Sequence, residues 1–210
     1  MAEEHKLLRL GILLSGSGRT MVNIAEYIRQ GELEAEIAVV ISSREKVAGV
    51  EKARKLGIEP HIVRKKDYPD LAEFSGKITK ILEEARVDLV LQCGWLCLWQ
   101  IPAYLANRVM NIHPALLPSF GGQGMWGHHV HAAVLSRGCK ISGCTVHFVT
   151  NEYDAGPIIV QRCCEVREDD DANSLAGRVF EQECRAYPEA IRLFVQKRLK
   201  VQQGRVHIAP

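Results

Sequence analysis

Leu7-Leu8-Arg9-Leu10-Gly11-Ile12-Leu13-Leu14-Ser15-Gly16-Ser17-Gly18-Arg19-Thr20-Met21-Val22-Asn23-Ile24-Ala25-Glu26-Tyr27-Ile28 decides the fold. Its first third is a short, nearly continuous apolar run. Four small residues, Ser15 to Gly18, close that run, and Met21, Ile24, Ala25 and Ile28 then recur at helical spacing. The stretch reads as strand, glycine turn, helix. The turn offers backbone N–H groups directly before a helix, where the macrodipole favours an anion. It has neither the GxGxxG spacing of a dinucleotide fold nor the Lys of a P-loop, so a phosphate-sized ligand and a plain tight turn both fit it.

The alternation repeats downstream. Residues 36–41, 60–63 and 87–92 read as strands, and residues 47–56 and 71–85 read as helices between them. Strands alternating with helices imply an α/β fold with right-handed crossovers. The expected architecture is an open, mostly parallel, twisted sheet of Rossmann-like form, with helices on both faces and an antiparallel extension near the C-terminus. Beyond Gly94 the pattern loosens into a short segment at 102–106 and a strand at 108–112. A glycine-rich loop follows, in which Met125, Trp126 and three histidines interrupt the glycines. Residues 131–135 read as a short helix, 145–150 and 158–166 as strands, and 174–197 as a long helix with Asp171 or Asn173 as its cap. A length of 210 residues with 47% hydrophobic content suits one domain. Its phosphate-binding half is expected at about 7–110 and its catalytic half at about 111–210.

Lys and Arg outnumber Asp and Glu by only 27 to 25, and the charges are interspersed, which argues against a nucleic-acid partner and for small molecules. The apolar runs fall far short of the roughly 20 residues of a membrane span. Residues 1–6 carry Glu3 and Glu4 and lack the order of a secretory signal. Seven cysteines without regular spacing read as reduced thiols. The expectation is a cytoplasmic protein without a membrane partner, a monomer or a homodimer.

Asn111-Ile112-His113-Pro114 follows a predicted strand, and alternation sends Asn111 and His113 to one face at the strand's carboxyl end, where open parallel sheets bind ligands. An amide donor beside an imidazole suits stabilisation of an oxyanion and delivery of a proton. A structural histidine before a proline is the other reading. Asp154 lies on a turn between two predicted strands. A carboxylate near His113 would raise its pKa and relay a proton, although spacing alone also allows a solvated turn residue. Gly127-His128-His129-Val130-His131 invites a zinc reading, but no Asp, Glu or Cys at familiar spacing completes a tetrahedral site, so no metal is expected.

Three blocks in order resemble the folate-dependent formyltransferases, and among them the phosphoribosylglycinamide formyltransferases. They are Asn111-Ile112-His113-Pro114-Ala115-Leu116-Leu117-Pro118, Gly143-Cys144-Thr145-Val146-His147-Phe148-Val149, and Asp154-x-Gly156-Pro157-Ile158-Ile159-x-Gln161. The resemblance runs from Leu10 to about Val206. It implies transfer of a formyl group from 10-formyltetrahydrofolate, a co-substrate, to the amine of phosphoribosylglycinamide in purine biosynthesis. Asn111, His113 and Asp154 would be catalytic. Ser17, Gly18, Arg19, Thr20 and Glu183 would bind phosphoribosylglycinamide. Cys97, Leu98, Trp99, Asn111, Val149 and Asp154 would bind the folate. Within this group the chain has Arg19-Thr20 where Ser-Asn is usual, lacks a cation after Gly94, and has a longer segment between Phe120 and His131. No added tRNA-binding or regulatory domain is expected.

The alternatives within the family are a formyltetrahydrofolate deformylase or another folate-dependent formyltransferase. A nucleotide-binding oxidoreductase would need an acidic residue after the second strand, and Ile41-Ser42-Ser43-Arg44 offers none. A zinc hydrolase built on His128, His129 and His131 and a non-catalytic binding module are the remaining readings from other classes.

Overall fold

In a computed structural model of the chain, residues 7–210 are described, and the signal-sequence expectation for residues 1–6 lies outside them. The chain divides into two compact units, with the boundary between Pro102 and Ala103.

The first unit is built on strands β1 (Leu8–Leu14), β2 (Ala35–Ser42), β3 (His61–Ile62) and β4 (Leu89–Gln92), all parallel, in the order β3-β2-β1-β4. Strands buried on both faces read as continuous apolar runs rather than alternating ones, and Leu10, Ile12, Leu13 and Leu14 are fully buried. Helices α1 (Arg19–Arg29), α2 (Ala48–Lys55) and α3 (Leu71–Glu84) connect them. Each presents its apolar stripe inward: Met21 and Ile24 from α1, Val50 and Ala53 from α2, and Phe74, Ile78, Ile81 and Leu82 from α3. Asp70 caps α3 by accepting the Glu73 N–H at 2.9 Å.

The second unit carries β5 (Val109–His113), β6 (Ile141–Phe148) and β7 (Ile158–Glu165), paired antiparallel in that order. Helix α4 (His128–Ser136) precedes β6, and the long α5 (Ala172–Val195) packs on β6 and β7. The start of α5 is a capping box: the Asp171 carboxylate accepts the Asn173 and Ser174 N–H groups, and the Ser174 hydroxyl accepts the Asp171 N–H. Asp171, not Asn173, is therefore the cap. A final ribbon, β8 (Leu199–Gln202) with β9 (Arg205–Ile208), turns at Gln203-Gly204, both at positive φ.

Three segments depart from the sequence expectation. Helix α4 begins at His128 rather than 131, because Gly127 at φ 52 lets the chain enter the helix early and makes His128 and His129 helical. Strand β6 begins at Ile141, four residues early, since Ser142 and Gly143 pair with Cys164 and Cys163 despite weak strand propensity. Strand β3 shrinks to two residues at the end of the parallel pairing.

Candidate active site

In the second unit, β5 delivers Asn111 and His113, and the antiparallel register sets them opposite His147 and Thr145 of β6. Directly opposed residues share a face of the sheet, so all four side chains meet on one side. The turn after β7's partner strand adds Asp154, held at φ 52 in the left-handed region that Asp tolerates better than most residues. Gly156 makes that turn possible: a Cβ there would lie 1.7 Å from the Phe148 carbonyl oxygen.

The result is a buried polar cluster. His113 and His147 are 3% and 1% exposed. His113 Nδ1 lies 3.5 Å from Asp154 Oδ2, and His147 Nε2 lies 3.7 Å from Asp154 Oδ1. The His113 Nε2–H donates to the Phe120 carbonyl at 2.8 Å, and the Gly122 N–H donates to Asp154 Oδ2 at 2.9 Å. On His147 the Nδ1–H donates to the Phe148 carbonyl at 2.9 Å, which leaves the Nε2 lone pair to accept from Asn111 Nδ2 at 3.2 Å. That bond orients the Asn111 amide and leaves its second N–H for a ligand oxygen.

Charges inside the cluster oppose one another. Burial lowers the His113 pKa, and this outweighs the Asp154 charge and the Phe120 hydrogen bond, which both raise it. The sequence reading, in which the carboxylate raises the His113 pKa, names a real contribution that desolvation exceeds. Burial pushes Asp154 upward, but His147, the His113 charge and the Gly122 N–H together hold its pKa below the usual carboxylate value.

The segment beyond His113 is pinned from beneath. Thr145 Oγ1 donates to the Ala115 carbonyl at 2.7 Å and accepts the Leu117 N–H at 3.0 Å, while Gln161 Nε2 donates to the Leu117 carbonyl at 2.9 Å. Val149 is half-buried just past β6, its N–H bonded to the Val109 carbonyl. Glu183 is half-buried on α5; burial and then the Glu183 charge push the Cys144 thiol up to about 12. Cys144 alternates with Thr145 and His147 along β6, on the opposite face of the strand.

The first unit holds the glycine turn. Gly18, at φ 66, caps α1 and has no side chain with which to accept the first N–H groups of the helix. Close packing shapes the turn: a Cβ on Gly18 would meet Gly49 Cα at 2.7 Å, and the Gly49 N–H donates to the Gly16 carbonyl at 3.0 Å. Ser17 and Arg19 are exposed and Thr20 is half-buried. Lys52 Nζ donates to the Ser17 carbonyl at 2.9 Å, so α2 brings a cation that the sequence reading did not assign. Helical spacing from Gly49 was the available signal.

Ser15 was also missed as a fixed point. Fully buried, its hydroxyl accepts from Ser43 Oγ at 2.7 Å and from the Leu96 N–H at 3.0 Å, tying the turn to the segment after β4. In that segment Cys97 and Leu98 are half-buried, and Trp99 is 2% exposed with its indole N–H unpartnered. Trp95 stacks on Phe74 with ring centroids 6.2 Å apart. Among the described residues no group of three or more His, Cys, Asp or Glu is arranged to hold a metal ion; His129 instead packs edge-on against Trp126, centroids 4.9 Å apart.

This fold is shared with known proteins. Residues 8–191 match the family described as Formyl transferase, and the chain belongs to that family. A crystal structure of glycinamide ribonucleotide transformylase 1 from Symbiobacterium toebii is 38% identical, with a TM-score of 0.91 covering 99% of this chain and 96% of that one. The chloroplastic phosphoribosylglycinamide formyltransferase of Arabidopsis thaliana is 35% identical over 204 residues, 95% of this chain and 69% of that protein. Within the formyl transferases, this chain is a member of the phosphoribosylglycinamide formyltransferases, with their Rossmann-like α/β fold. The trifunctional purine biosynthetic protein adenosine-3 of Homo sapiens is 35% identical over 192 residues, 90% of this chain and 18% of that protein. The chain thus spans about a fifth of the length of the trifunctional relatives it matches.

Proposed function

We propose that the chain transfers the formyl group of 10-formyltetrahydrofolate to the amine of phosphoribosylglycinamide, a step of purine biosynthesis. The observation that carries this reading is the buried cluster in which Asn111 and His113 share a strand face with Asp154 at 3.5 Å from the imidazole.

The amine attacks the formyl carbon, and the formyl oxygen becomes an oxyanion facing the Asn111 amide with the His113 ring beside it. The tetrahedral species collapses by breaking the bond from carbon to the folate nitrogen. The amine loses one proton and the departing nitrogen gains one, with Asp154 and water carrying it. His147 fixes the Asn111 amide so that its free N–H meets the oxyanion.

Ser17, Gly18, Arg19 and Thr20 hold the substrate phosphate at the uncapped start of α1, with the Arg19 guanidinium as a charged clamp. Glu183 takes the ribose. Cys97, Leu98, Trp99, Asn111, Val149 and Asp154 serve the folate, and the buried indole N–H of Trp99 is a donor suited to a heterocycle edge. The chain acts as one formyltransferase domain in the cytoplasm, on small molecules and not nucleic acid, as a monomer or homodimer. Among the described residues no helix is long and apolar enough to cross a membrane.

The test is tetrahydrofolate release from 10-formyltetrahydrofolate with phosphoribosylglycinamide or with water as acceptor. Release that requires phosphoribosylglycinamide is expected. Release in water alone would make the chain a deformylase and overturn the reading.

A further inference from the structure

We propose that the backbone of residues 120–122 is a positioning element for the formyl transfer, holding His113 and Asp154 in one register, and that Gly121 is the residue which permits it. The inference rests on the catalytic reading of those two side chains.

Three consecutive residues reach both partners. The Phe120 carbonyl accepts the His113 Nε2–H at 2.8 Å, and the Gly122 N–H donates to Asp154 Oδ2 at 2.9 Å. The same Oδ2 faces His113 Nδ1 at 3.5 Å. Ring, loop and carboxylate close a circuit in which a shift of any member breaks two contacts.

The circuit also decides where the proton sits. A carbonyl oxygen only accepts, so Nε2 carries a proton whether His113 is charged or neutral. Protonation and deprotonation therefore happen at Nδ1, the nitrogen beside Asp154. Among the described residues, the titratable groups facing His113 are Asp154 and His147. A histidine free to choose tautomers would place its proton away from the carboxylate part of the time, and the relay would be broken in that fraction.

Gly121 allows the loop to come this close. A Cβ there would lie 2.6 Å from Leu117 Cδ2, 3.2 Å from Asp154 Cβ and 3.7 Å from Asp154 Oδ2. The Leu117 methyl is the end of a flexible side chain and can rotate away. Asp154 has less freedom: its backbone is at φ 52 and its carboxylate is held by Gly122. A side chain at 121 therefore presses on Asp154 at its Cβ, which must give by a few tenths of an ångström and carries the carboxylate with it. Phe120 at φ 55 and Gly122 at φ 96 bend the chain on either side of it.

The experiment compares wild type, Gly121→Ala and Gly121→Ala with Leu117→Ala, by steady-state kinetics across pH and by nitrogen NMR of histidine-labelled protein. In the wild type, His113 is expected as the Nε2-protonated tautomer at high pH. In Gly121→Ala, kcat is expected to fall at least about tenfold with the KM for phosphoribosylglycinamide within about threefold, because misplacement of an ångström or less costs turnover rather than binding. The rising limb of the pH profile moves and the tautomer signal becomes mixed. The double variant stays impaired, since the contact with Asp154 persists after the Leu117 methyl is gone. Wild-type kcat and pH profile in Gly121→Ala, full recovery in the double variant, or an Nδ1-protonated His113 in the wild type would each overturn the proposal. If Gly121→Ala does not fold, the wild-type tautomer decides alone. If the wild type transfers no formyl group, the functional reading fails, and the tautomer measurement still judges the loop.

Discussion

Asp154 and His113 act as a pair because each favours the charged form of the other, while burial works against both charges. Burial keeps the imidazole below its ordinary pKa, while the neighbouring histidines and the Gly122 N–H keep the carboxylate ionised. Removing either partner leaves the phosphate-holding residues in place, so His113→Asn and Asp154→Asn are expected to lower kcat about 10²–10⁴-fold with the KM for phosphoribosylglycinamide little changed, the range typical of a positioned acid or base. Steady-state kinetics with both substrates checks this. Stability carries the same signature. A histidine whose folded pKa is lowered resists a proton that the unfolded chain accepts below about pH 6.5, so its contribution is present above that pH and is lost as pH falls. The depressed Asp154 behaves alike at lower pH, present above about 3.9 and lost as pH falls through its folded value. Urea-unfolding midpoints at pH 7.5 and 5.5 should therefore fall toward acid, and His113→Gln should flatten that slope. An unchanged slope would mean that His113 is neutral or charged alike in both states.

At the scale of the element, the strand-turn-helix opening, the parallel strands and the carboxyl-end placement of Asn111 and His113 were all legible, because apolar runs and helical spacing report burial directly. What stayed hidden depends on partners distant in sequence. His147 sits in a motif that had been noticed, yet its bond to Asn111 follows from the β5–β6 register, which no local pattern encodes. The early start of α4 turns on a single glycine at positive φ, and Ser15 gains its role from Ser43 and Leu96, 28 and 81 residues away. Long-range ties of this kind can be weighed one at a time. Tyr187 of α5 is fully buried and donates its hydroxyl to the Met110 carbonyl of β5 at 2.8 Å. Tyr187→Phe removes that hydrogen bond and should cost about 0.5–1.5 kcal/mol in denaturant unfolding while leaving kcat near wild type. A loss of turnover as large as that of Asp154→Asn would show instead that α5 sets the geometry of β5.

Across the whole molecule, phosphate binding and chemistry are assigned to different residues, and this makes them separable by linkage. A ligand that binds only the folded chain raises its stability by about 2.7 kcal/mol at a hundred times its dissociation constant, whatever happens to turnover. Phosphoribosylglycinamide alone should thus raise the thermal midpoint of the wild-type chain. Asp154→Asn removes a proton carrier but no phosphate contact, so it should show nearly the same rise from its own baseline. Arg19→Ala removes the charged clamp at a helix start that has no side-chain cap, and the rise at equal ligand concentration should shrink. Because a phosphate clamp acts through charge, added salt should weaken the wild-type shift more than the Arg19→Ala shift. Equal rises in wild type and Arg19→Ala at low salt would mean that the backbone N–H groups of the turn hold the phosphate without the guanidinium. A smaller rise in Asp154→Asn than in Arg19→Ala would mean that the cluster around His113 grips phosphoribosylglycinamide before any formyl group arrives.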